Sequence, residues 1–107
     1  MTDYKAKFRI GQIVQHKLFD YTGVVFDIDF SFQSSDEWYD QIARSRPPKN
    51  EPWYHILVHR AEHTTYVAEQ NLELKEFPKA IHHPQINLLF NHFDGSQYQR
   101  NFQPLFL

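Results

Sequence analysis

The sequence has 107 residues, 41% of them apolar and 17% aromatic, with 11 basic and 13 acidic side chains for a formal net charge of -2. That is the length of one domain; the aromatic content excludes whole-chain disorder, and the charge is not the basic balance usual for a strong nucleic-acid binder. With no Cys there is no thiol catalysis, zinc-thiolate site or disulfide.

In chain order, residues 8–18 begin with Gly11 as a turn or bulge and enter a strand at Ile13 and Val14. Residues 20–23 (DYTG) read as a turn. Residues 24–30 (VVFDIDF) alternate, with Val24, Phe26, Ile28 and Phe30 on one face and Val25, Asp27 and Asp29 on a wet one. Residues 34–46 predict a short helix: Ser34 and Glu37 have capping-box spacing, and Trp38 and Ile42 lie four apart beside Tyr39 and Ala43. Pro47 and Pro48 stop it. Residues 53–60 (WYHILVHR) are the strongest strand, apolar on both faces and so expected inside a sheet. A turn at residues 61–63 and a return at 64–69 make a hairpin, and residues 71–74 add a short strand. Pro84 opens a second predicted helix, with Ile86, Leu89, Phe90 and Phe93 on one face and Asp94-Gly95 as its stop. An apolar tail follows, with Phe102, Leu105, Phe106 and Leu107.

Strands this closely spaced leave no room for parallel crossovers, which need a dozen or more residues. The expected fold is a single mainly-β domain over residues 1–107. It is a small antiparallel barrel across about residues 7–74, with a short insertion helix, then a C-terminal helix and tail over about residues 82–107. No run reaches the 18 apolar residues of a membrane span, and the N-terminus does not read as a secretory leader, so a cytoplasmic location is expected.

Five blocks carry a family resemblance: Phe8-Arg9-Ile10-Gly11-Gln12, His16, residues 21–29 with Gly23 and DID, Pro52-Trp53-Tyr54-His55, and residues 66–72 (YVAEQNL). In this order and spacing the chain resembles the HspQ/YccV-like family of small bacterial heat shock and hemimethylated-DNA-binding proteins. His83-Pro84, Phe90, Phe93 and Gly95 are more similar to the version of this domain attached to some eukaryotic F-box proteins. The resemblance implies an SH3-like barrel, no cofactor and no reaction. It also implies two roles: stress-linked help to protease-mediated protein turnover, and binding of hemimethylated DNA.

Metal chemistry finds little support. His59-Arg60-Ala61-Glu62-His63 has the H-x-x-E-H spacing of inverted zinc proteases, but it straddles a turn where the motif needs a helix. His55 and His59 lie about 13 Å apart on a strand, too far to share an ion. No metal or cofactor is expected. Asp27 and Asp29, about 6.6 Å apart along a strand, have the spacing of a glycosidase pair. A hydrolase using them is the remote reading; the chain is expected not to be an enzyme.

The leading expectation is an interaction module of protein quality control whose partners are a cytoplasmic protease or its protein clients. Trp38, Tyr39, Trp53, Tyr54, Phe102 and Phe106 are its candidate contacts, since a few aromatic anchors dominate such interfaces. Trp53 is expected in the core and Trp38 partly exposed. The alternative is hemimethylated-DNA binding by Lys5, Lys7, Arg9, Lys17, Arg44, Arg46 and Lys49, should folding join these two groups. Sequence nominates no residue for the methyl group. The apolar tail and a sheet edge offer routes to a homo-oligomer.

Overall fold

A computed structural model describes residues 5–43 and 45–100. The alternating run folds as β2 (Thr22–Asp29), but with one residue too many for a flat strand. It lies between β1 (Ile13–His16) and β3 (Trp53–Val58). Val25 opposes Ile56 and Asp27 opposes His55, so Phe26 is the extra residue of a β-bulge. The bulge reverses parity. Val25 and Ile28 pack into one apolar cluster, and Val24 and Phe26 into another. The expected four-residue face of Val24, Phe26, Ile28 and Phe30 is therefore split, because an inserted residue moves every later side chain to the other face.

The mainly-β, antiparallel expectation holds. β4 (Thr64–Ala68) returns from β3 as the predicted hairpin, and β5 (Leu72–Leu74) follows a 3-10 turn at Glu69–Asn71. The five strands run in the order β4-β3-β2-β1-β5, every neighbouring pair antiparallel. On a flat sheet β4 and β5 would lie at least ~19 Å apart, four strand spacings. The four residue steps from Ala68 to Leu72 reach only ~14 Å. The sheet must therefore roll, and its inside is built by every strand: Val14, Val25, Tyr54, Ile56, Val67 and Leu72 share one core cluster with Phe8. Among the described residues no strand pairing joins the β4 edge to β5, so the roll stays open there.

β3 is covered on both faces, as predicted, with Trp53, Tyr54, Ile56 and Leu57 at most 1% exposed. Helix α1 (Asp36–Ile42) lies over the Trp53 end, where Tyr39, Ala43, Trp53 and Ala68 form a third cluster. Its N-cap is Ser35, one residue later than the predicted Ser34; the Ser35 hydroxyl accepts from the Trp38 amide at 3.0 Å.

The predicted C-terminal helix is a single turn, α2 (Ile86–Leu89). Phe90 and Phe93 leave it for β6 (Phe90–Phe93), which pairs with β7 (Tyr98–Arg100). The stop signal is in fact a hairpin turn. Asp94 Oδ1 accepts from the amides of Ser96 and Gln97, both at 2.9 Å, and Gly95 sits at φ +98°. Tyr98 then packs against Phe90 and Phe93, contacts that a helix over residues 86–93 would forgo. The hairpin closes on the rolled sheet through Gly11, whose carbonyl accepts from Tyr98 N at 2.7 Å. Among the described residues no helix is long and apolar enough to cross a membrane.

Candidate functional site

Two grooves hold four of the candidate contacts that sequence singled out, Trp38 and Trp53 in one and Lys5 and Arg9 in the other. The first, about 520 Å³, runs along β4, with residues 64–68 all on its lining. Trp38 and Ile42 of α1, with its C-cap Ala43, form one wall. Leu18 and Phe19 of the β1–β2 turn form the other. β4 is an edge strand, so the groove is the open seam of the rolled sheet. Phe19, Leu18 and Ile42 are 74%, 60% and 59% exposed, an unusual concentration of apolar surface around one edge.

The seam floor is an aromatic stack. Trp53 lies 5.2 Å from Tyr66 and 5.9 Å from Trp38, centroid to centroid. The Trp53 indole N–H donates to the Pro48 carbonyl at 3.0 Å, which satisfies it inside the core. Tyr66 donates to Asp29 Oδ2 at 2.7 Å; burial and then that acceptor push its phenol well above the usual range. His55 Nε2 meets the same oxygen at 3.1 Å. Asp27, Asp29 and His55 each bring a ligand-type atom within 4.8 Å of one another.

The turn wall is fixed by His16. His16 is 5% exposed, and its Nδ1 accepts from the amides of Leu18 and Phe19, both at 3.1 Å. That places the imidazole proton on Nε2, and burial lowers the pKa below the ordinary histidine value. Tyr21 ties this wall to β4 through a 2.7 Å hydrogen bond shared with Thr65 Oγ1. Such a seam offers aromatic faces and a strand edge with no strand partner among the described residues, the two features that hold an extended polypeptide.

The second groove is shallower, about 480 Å³, with Ile10, Ile28 and Phe30 on its apolar floor and Lys5, Arg9 and Arg100 around it. Among the described residues no carboxylate contributes to its lining. All three cations are exposed, and so is Phe30, at 64%.

The predicted cations thus separate by environment. Lys5 and Arg9 edge the second groove. Arg46 pairs with Asp40 at 2.7 Å and sits over the Tyr39 ring, while Lys49 pairs with Asp36 at 3.1 Å and lies against the rings of Tyr39 and Phe32. Arg46, Lys49, Lys7 and Lys17 belong to the lining of neither groove. Among the predicted aromatic contacts, Trp38 and Trp53 line the seam. Tyr39 and Tyr54 are buried, at 6% and 0% exposure, and unavailable to a partner. Tyr39 donates to the Pro47 carbonyl, and Tyr54 donates to Glu69 Oε2 at 2.5 Å. Arg44, Phe102 and Phe106 lie outside the described residues. The H-x-x-E-H run is a turn after β3, with Arg60 at φ +61° and His59 Nδ1 accepting from His82 N.

Sequence reasoning missed Leu18, Phe19, Ile42 and Tyr66 in the seam, and Arg100 and Phe30 in the basic groove. The available signal was isolated large apolar residues in turns and at strand ends. Arg100 carried none, because only the β6–β7 hairpin brings it there. A family model described as hemimethylated DNA-binding protein YccV like matches residues 6–97, from the chain entering β1 through the turn before β7. That match spans well over half of the sequence and both grooves except Lys5 and Arg100, and the chain belongs to the YccV-like hemimethylated DNA-binding family.

Proposed function

We propose that this chain is a non-enzymatic domain that docks on duplex DNA through the groove edged by Lys5, Arg9 and Arg100. The observation that carries the reading is local charge: three cations and, among the described residues, no carboxylate around one groove, in a chain whose net charge is -2. Phosphate oxygens are the groups such a rim would hold, and each neutralised phosphate adds about 0.9 to the slope of log affinity against log salt. Three contacts make weak, strongly salt-dependent binding, so most of the specificity must come from elsewhere. The test is fluorescence anisotropy of labelled duplexes over a salt series. Replacing Arg9 and Arg100 together by Ala should weaken binding to every duplex and lower the salt slope by about two. An unchanged slope would remove this groove as the docking surface.

A second reading has its own observation. The seam along β4 suits a polypeptide because Leu18, Phe19 and Ile42 expose apolar surface beside the rings of Trp38 and Tyr66, and no Lys or Arg lines it among the described residues. It supports an HspQ-like role in which the domain captures a cytoplasmic protease or its clients and promotes turnover of damaged proteins. The family resemblance supplies that role; the seam supplies a place for it.

A further inference from the structure

We propose that Phe30 reads the methyl group of hemimethylated DNA; the inference rests on the DNA reading above and assigns its specificity. A methyl on one strand of a duplex adds no charge and leaves the phosphates unchanged. Lys5, Arg9 and Arg100 therefore have no means of sensing it. The methyl projects into the major groove, where an apolar side chain recognises it by contact, as Phe does with the thymine methyl. Such a reader has to be exposed, apolar and placed among the phosphate-binding cations.

The eight exposed large apolar side chains among the described residues are Leu18, Phe19, Phe30, Ile42, Leu74, Phe77, Leu88 and Leu89. Of these only Phe30 lies in the basic groove. It follows β2 directly, and Ile10 and Ile28 continue an apolar floor beneath the cation rim. The bulge in β2 sets the face of Ile28: without the extra residue at Phe26 its parity would be reversed. The cations among the described residues suit the groove to a polyanion, and the exposed ring supplies an apolar contact that phosphates do not use.

A methyl buried against the ring is worth about fourfold in affinity. That ratio carries no charge term, so it should stay level across a salt series while both affinities fall. The experiment titrates wild type, Phe30→Ala and Phe30→Leu with matched unmethylated and hemimethylated duplexes. One set carries N6-methyladenine and another 5-methylcytosine, so the arms identify which methyl is read. Wild type should prefer one hemimethylated duplex about fourfold at every salt concentration. Phe30→Ala should bind the unmethylated and hemimethylated duplexes alike, its methyl preference lost at every salt concentration. Phe30→Leu, which keeps an apolar surface, should retain part of the preference. Because Phe30 is exposed, an unchanged thermal midpoint is expected and separates recognition from folding. A preference that survives Phe30→Ala overturns the assignment while leaving DNA docking intact, as does wild-type binding equal for all duplexes. Wild-type protein that binds no duplex overturns the DNA reading itself.

Discussion

His16 couples the seam to proton concentration through one atom. Its Nδ1 accepts from two amides of the β1–β2 turn, and its ring stacks on Phe19 at 4.7 Å and lies 5.1 Å from Tyr21. A protonated ring has no acceptor there, so the amides of Leu18 and Phe19 would lose their partner just as a charge is buried. Burial sets the folded pKa below the ordinary value. The unfolded chain therefore takes up the proton first, and the stabilisation is full above the unfolded pKa and lost as pH falls through and below it. Stability should drop between about pH 7.5 and about pH 5.5, the range in which unperturbed histidine titrates. His59 is shifted the same way, by burial first and then by Arg60 and His82, and it adds a smaller share because its ring is partly exposed. His16→Asn keeps an acceptor near the same position and cannot titrate. Urea midpoints measured across that range should fall for wild type and change much less for His16→Asn. Equal pH dependence in both would show that His16 is not the group responsible.

At the scale of the element, most of the fold was legible where one face of a segment determines it. β1, β3, the β3–β4 hairpin and β5 follow from apolar runs and turn residues. β2 was legible in extent but not in register, since nothing in VVFDIDF marks which residue is extra; the bulge arises from pairing with β3. The C-terminal segment was misread for a related reason. Ile86, Leu89, Phe90 and Phe93 fit a helical face, but Tyr98, outside that window, offers the last two a better partner. Gly11 joins this hairpin to the rolled sheet. It sits at φ +99°, and a Cβ there would lie 2.2 Å from the Tyr98 carbonyl oxygen. Backbone occupies that space and cannot step aside as a flexible side chain can. Gly11→Ala should cost about 2–4 kcal/mol, from the conformation and the collision together. Gly95 has nearly the same φ but open space around it. Gly95→Ala therefore isolates the conformational part and should cost about 1 kcal/mol. Thermal midpoints for the pair should differ by several degrees, on the order of 4–8 °C per kcal/mol. Equal losses would mean that the hairpin moves away from β1 without penalty.

Across the whole molecule, the candidate sites were less legible than the strands because each is assembled from distant segments. Trp38 and Trp53 stood out by residue type and do meet in the seam, yet the exposed walls at Phe19 and Ile42 are set by how the turn and α1 flank β4. Lys5 and Arg9 were visible as cations. Their distinction from Arg46 and Lys49 appears only once Asp40 and Asp36 are seen to hold the latter two. The seam and the basic groove share no lining residue among the described residues, and effects of well-separated substitutions are close to additive. The two readings are therefore separable in one protein. Phe19→Ser with Ile42→Ser removes apolar surface from both seam walls at exposed positions, so the fold should survive. Binding of a reduced, carboxymethylated, permanently unfolded polypeptide should weaken by tenfold or more, on the order of a hot-spot loss, while the affinity and salt slope for duplex DNA stay unchanged. Arg9→Ala with Arg100→Ala should do the reverse. Loss of both activities in either variant, without unfolding, would mean that the two faces act as one continuous surface. Unchanged polypeptide binding in the seam variant would leave the quality-control reading without its site.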